Sequence, residues 1–158
     1  MTELFFALKL AHILGAAVLF GTGLGIAFFM WMANRTRDAA TIAATARIVV
    51  VADFVFTATA VVLQPLSGAG LIAIVDYPWD TPWIIVALAL YVLTGLCWLP
   101  VVAIQIKLRN LAAEATRLGA PLPPEYHRFF RVWFILGWPA FIAVMLIFAD
   151  MIWKPALW

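Results

Sequence analysis

The stretch LKLAHILGAAVLFGTGLGIAFFM, Leu8 to Met30, decides the fold, because it is apolar throughout except at Lys9 and His12. It exceeds the roughly 20 residues a helix needs to cross the hydrocarbon core of a bilayer. Working outward, the run containing it extends from about Leu4 to Met32. Three more runs follow, from about Arg47 to Val75, Trp83 to Leu108 and Phe129 to Trp153. Hydrophobic residues make up 66% of the chain and charged ones 11%. The mean hydropathy is +1.06, far outside the usual composition of a soluble domain. These features predict an all-α, polytopic membrane protein, a four-transmembrane-helix bundle occupying residues 1–158 as one domain.

The first run does not read as a cleaved signal peptide. Glu3 stands where a basic leader belongs, and the apolar stretch is too long. Cys97 is the only cysteine, so neither an intrachain disulfide nor a cysteine metal site is available. Arg35, Arg37 and Arg47 flank the first connection, and Lys107, Arg109, Arg117, Arg128 and Arg131 flank the third. Four spans put those two connections on one side, which the distribution of Lys and Arg makes cytoplasmic, with both termini outside. The same residues are thereby used for topology, and no nucleic-acid footprint is left.

The connections have recognisable chemistry. NRTRDAAT from Asn34 ends one helix and caps the next, and DYPWDTPW from Asp76 makes an outer turn with interfacial aromatics. The third helix runs on into the cytoplasm until Gly119 and the prolines at 121, 123 and 124 stop it. Trp31, Trp79, Trp83, Trp133 and Trp153 fall near membrane interfaces, whereas Trp98 and Trp138 lie deeper.

At about 100° per residue, His12, Ala16, Leu19, Gly23 and Ala27 share a face of the first helix, with Lys9 at its margin. GTGLG at Gly21–Gly25 follows no strand, so it is no nucleotide loop. Gly21 and Gly25 instead form a GxxxG pair opposite His12, a packing surface within the bundle or for a homodimer. On the second helix, Asp53, Thr57, Ala60 and Gln64 make a polar stripe that must face inward, since a polar group in lipid costs several kcal/mol. Pro65 removes the donor due to the Val61 carbonyl, and Ser67, Gly68 and Gly70 make the outer end pliable. Tyr91, Thr94, Trp98 and Gln105 align on the third helix, and Arg131, Phe134, Trp138, Phe141 and Met145 on the fourth.

Counting about 1.5 Å per residue, His12, Gln64, Tyr91 and Met145 fall in one layer roughly 12 Å below the outer surface. A deeper layer holds Asp53, Gln105 and Arg131, where Arg131 is the expected bidentate partner of Asp53. Lys9 has Asp150 as its candidate partner near the outer surface. Four roles stay open for His12: an interhelical hydrogen bond with Gln64 or Tyr91, axial ligation of a haem, proton relay or quinone binding, and transport. Met145 is the candidate second ligand in the haem case. No hydrolytic constellation or metal-binding motif is visible, and the unlike helices show no transporter repeat. A cofactor-free subunit that packs against a larger membrane complex is the rival to any redox role.

LKLAHILGAAVLFGTGLGIAFFM, TATAVVLQPLSG, CWLPVV and PLPPEYHRFFRVWFILGWPAFIAV together resemble the predicted bacterial integral-membrane proteins grouped as domain of unknown function 2269. The resemblance spans nearly the whole chain and implies a four-helix architecture in the bacterial cytoplasmic (inner) membrane. More distantly, Lys9-x-x-His12 and the glycine-containing helix after it resemble the first helix of the small haem b membrane protoporphyrinogen oxidases. That similarity implies haem b as cofactor, with His12 its ligand; the helix faces and depths given above make Gly23, Gln64, Tyr91 and Trp138 the further candidate cofactor-binding residues.

Overall fold

The computed structural model describes residues 2–156. Among these the fold consists of four helices and no strand: α1 (Thr2–Thr36), α2 (Ala39–Val75), α3 (Pro82–Leu118) and α4 (Pro124–Trp153). Each is long and apolar enough to cross a membrane. Large apolar side chains stay exposed on all four, for example Phe29, Leu66, Leu96 and Ile135. In water such surfaces would aggregate, whereas in a bilayer they are the lipid-facing wall.

The helices are longer than the hydropathy runs, and the reason lies in their ends. Arg37 takes a left-handed conformation (φ 57°) and turns the chain. The Asp38 carboxylate then accepts from Thr41 N at 2.8 Å and Thr41 Oγ1 at 2.6 Å, an N-cap that lets α2 start at Ala39, well ahead of Arg47. Prolines occupy the first turn of α3 and α4, where a missing N–H costs nothing. The extension of α3 ends where Gly119 adopts φ 60°.

α2 is not uniform. Asp53–Thr57 is a π-turn, with the Ala58 N–H bonded to the Asp53 carbonyl. The Ser67–Gly70 segment, expected to be a pliable end, continues as helix to Val75 and packs on α1.

The dense core sits at the end of the bundle that carries the two basic connections. Ile26, Met30, Ile42, Val49, Leu108 and Tyr126 interlock there, with Ala33, Ala46 and Ala112 letting the backbones approach. Trp133, expected at an interface, is buried in this cluster because its indole N–H has a polar partner inside. Toward the opposite end the bundle divides into two pairs, α1 with α2 and α3 with α4. α1 and α4 touch through Phe20, stacked on Phe141 (5.8 Å between centroids, 28°) and edge-on to Phe148 (5.7 Å, 79°). Between the pairs lies a cavity of about 840 Å³ lined by residues of all four helices.

Candidate functional site

His12 stands at the outer part of that cavity. α1 approaches α2 closely there because glycines line the contact: a Cβ on Gly68 would sit 3.3 Å from His12 Cε1, one on Gly70 2.9 Å from Leu8 Cδ1, and one on Gly15 would collide with the Gln64 amide. The ring lies against Gly68 with Nδ1 2.9 Å from Ser67 Oγ. The Ser67 hydroxyl has backbone acceptors in the Leu63 carbonyl at 2.7 Å and the Gln64 carbonyl at 3.2 Å, and when it donates to either, its oxygen accepts from His12. In that arrangement the imidazole proton is on Nδ1 and a lone pair is left on Nε2, which makes no hydrogen bond among the described residues. The Gln64 amide donates to the His12 backbone carbonyl at 2.8 Å, which pins the same turn of α1 a second way.

Tyr91 has a different task. Pro65 leaves the Val61 carbonyl without its helical donor, and the Tyr91 hydroxyl donates to that oxygen across the cavity. A helical defect in α2 is thereby repaired by α3, which bridges the two pairs.

At the inner end of the cavity Asp53 is 3% exposed. Its Oδ1 accepts from Trp98 Nε1 at 3.2 Å. The Gln105 amide, in the orientation that satisfies both its neighbours, donates to Asp53 Oδ2 at 3.0 Å and accepts from Trp133 Nε1 at 3.2 Å. Thr57 stands beside Asp53, and its buried hydroxyl has no hydrogen-bond partner among the described residues. Both Asp53 and Thr57 line the cavity, as do Gln64 and Val61, while Ala60 of the expected stripe is buried outside the lining. The π-turn is where the helix can absorb such a shift of face.

Several expectations need correction. Arg131 does not pair with Asp53. It is exposed at the surface of α4, and neutral donors from α3 meet the carboxylate instead. Lys9 and Asp150 form no ion pair either. Lys9 is exposed at the cavity margin with Nζ 5.7 Å from the Phe5 ring centroid, and Asp150 is 7% exposed with Oδ2 unpartnered. Met145 is 45% exposed and does not line the cavity. The Phe20 contacts explain why: they set Phe20 level with the middle of Phe141–Phe148, and His12 lies about 12 Å further out, nearer in depth to Met151. Met151 does line the cavity. Gly23 and Trp138 line it too, and a Cβ on Gly23, Gly95 or Gly137 would meet nothing within 4 Å. Gly21 likewise faces open space, so the GxxxG pair is no packing surface inside this chain.

The features that sequence reading missed are Ser67 as the partner of His12, Gly15 and Gly68 as its cradle, and Trp98 as donor to Asp53. Ser67 follows Gln64 by three residues and so shares its helical neighbourhood, but nothing in one dimension pairs it with His12.

A cavity inside a membrane bundle, walled by aromatic and small residues and carrying one oriented imidazole, is the setting in which the comparisons with known proteins are read. The model of the family described as "Predicted integral membrane protein (DUF2269)" matches residues 6–155. The chain belongs to this family. No curated protein and no solved structure matches it. Membership agrees with the four apolar helices and shows an integral membrane protein in contact with a lipid bilayer.

Proposed function

We propose that the protein binds haem b in the cavity between its two helix pairs, with His12 as axial ligand, and serves electron transfer or redox chemistry in the membrane. The observation that carries this reading is the oriented imidazole: Nδ1–H is committed to Ser67, and Nε2 is the free donor of a residue lining an 840 Å³ apolar cavity. Metal-ligating histidines are typically held in this way through their other nitrogen. Among the described residues no group of three or more His, Cys, Asp or Glu could hold a bare metal ion. A porphyrin brings four donors of its own, so one imidazole is enough.

The other lining residues suit the same group. Ala16, Ala69 and Ala87 line the outer end beside His12 and present little bulk to a flat macrocycle, Phe148 offers an aromatic face, and Lys9 supplies a cation at the margin for carboxylates, whereas Gly23, Gly137 and Trp138 lie at the inner end. Met145 is withdrawn as second ligand, and Met151 is the thioether that lines the cavity from α4. Bound haem b supplies a one-electron iron couple. The protein orients His12, keeps water from the site and, through the basic connections, sets the chain with both termini outside the cytoplasmic membrane of a bacterium.

The second reading, a cofactor-free subunit that docks on a partner or a second copy, is favoured by the open space over Gly21, beside Gly25 and the exposed Phe29 on α1. An absorption spectrum of the purified protein, oxidised and dithionite-reduced, with pyridine haemochrome quantification, decides between them. A stoichiometric b-type spectrum that disappears in His12→Ala is the expected result. A colourless, folded protein from haem-sufficient cells would overturn the haem reading.

A further inference from the structure

We propose that the inner end of the cavity is a second ligand subsite, which holds the hydroxyl-bearing ring of a hydroquinone between Asp53 and Thr57. This goes beyond haem ligation by His12 and does not depend on it. Along α2, Asp53 and Ser67 are separated by roughly 20 Å of helix, so the two ends of the cavity are distinct places.

The argument begins with two polar groups that the fold leaves incompletely used. Asp53 and Thr57 are 3% and 6% exposed and both line the cavity; the Thr57 hydroxyl has the Asp53 carboxyl group beside it and no other partner among the described residues. The Asp53 oxygens each accept one N–H, from Trp98 and Gln105, and each has room for one more donor. No Lys, Arg or His lines this end of the cavity, since Lys9 and His12 belong to the outer end and Arg131 is exposed on α4. Burying such groups without partners is costly in lipid, and the π-turn that sets them into the cavity is a feature often found at functional sites.

The chemistry of the vacant positions selects the ligand. A carboxylate and a threonine hydroxyl side by side call for a donor. A hydroxyl meets that need at a lower desolvation cost than an ammonium. Trp98, Trp133, Phe134 and Trp138 line the same space and favour a flat ring. Lining residues such as Ile13, Leu24 and Trp138 remain exposed, so the cavity opens on the lipid-facing surface and admits a ligand with an apolar tail. A flat ring with hydroxyl donors and an apolar tail is a hydroquinone.

Isothermal titration of the protein in lipid nanodiscs with a short-tailed benzoquinol, kept reduced, and with its dimethyl ether tests the subsite. The ether keeps ring and tail but donates nothing. The quinol is expected to bind roughly five-fold more tightly, the worth of one net hydrogen bond. Thr57→Val removes a hydroxyl whose one neighbouring acceptor is Asp53, which keeps its bonds from Trp98 and Gln105, so the bundle stays intact and the preference narrows; Asp53→Asn narrows it further. The preference for quinol over ether, unlike the pigment, is expected to survive in His12→Ala, which separates this subsite from haem binding. Equal affinity for quinol and ether, or an unchanged preference in Thr57→Val and Asp53→Asn, would overturn the subsite. Displacement of the quinol by an equimolar long-chain alcohol would overturn the hydroquinone assignment.

Discussion

Asp53 illustrates how a buried carboxyl group is accommodated without a counter-charge. Two indole or amide donors surround it, and the arginine at the matching depth points to the surface. Arg131→Gln is therefore expected to change stability by less than about 0.5 kcal/mol. Asp53 and Gln105, which share a hydrogen-bond network, are expected to couple by about 0.5–3 kcal/mol in a double-mutant cycle of thermal or denaturant unfolding. Tyr91→Phe strips the donor from the Val61 carbonyl that Pro65 orphans, with an expected loss of about 1–3 kcal/mol. Reverting residue 65 to alanine restores the helical donor and should suppress that loss. Ser67→Ala frees the His12 ring without removing it. In the haem reading it retains pigment but broadens or shifts the reduced spectrum, whereas His12→Ala loses the pigment.

The helices show how small residues set distance. Gly15 is required because a Cβ there would displace the Gln64 amide from the His12 carbonyl, so Gly15→Ala should destabilise the α1–α2 pair by about 1 kcal/mol, while Gly23→Ala meets open space and should be neutral. The start of α2 is sensitive to acid. Asp38 is held below the ordinary aspartate range by hydrogen bonds from the Thr41 side chain and backbone. Its capping contribution is complete above the ordinary value and is lost as pH falls through the depressed one. Protection factors at Thr41 and Ile42, which correct exchange for its intrinsic pH dependence, should fall at low pH in the parent and stay constant with pH in Asp38→Ala.

Over the whole molecule, packing is unequal. Alanines and interlocked Ile26, Met30 and Leu108 close the end with the basic connections, whereas the other end divides into pairs around the cavity. That open end is tied by Lys154, whose Nζ lies 4.9 Å from the Trp83 ring centroid and 5.1 Å from that of Tyr77, joining the end of α4 to the α2–α3 turn. In the orientation proposed above, the closed end is cytoplasmic. Single cysteines placed at position 38 or 120 are then expected to resist a membrane-impermeant thiol reagent in intact cells, and one at position 78 to react, with buried Cys97 silent. The opposite pattern would invert the topology.

What the sequence determined by itself is whatever depends on local composition: four spans, their order, the stops at Gly119 and the prolines, and membership of a membrane family. Hydropathy and turn chemistry act over tens of residues, so they can be read along one chain. His12, Gln64, Tyr91 and Asp53 were likewise visible as polar groups that lipid would reject. Their partners were not. Depth counted helix by helix assumes parallel, equally placed cylinders, and it put Met145 with His12; for Arg131 the depth was right, but its side of α4 faces the surface. The packing of Phe20 between Phe141 and Phe148 sets a different register. Only the tertiary structure decided that Ser67 meets His12, that Trp98 and Gln105 meet Asp53, and that the helices part to leave a cavity. Those outcomes depend on how closely glycine and alanine faces let two backbones approach, and that is a property of pairs of helices.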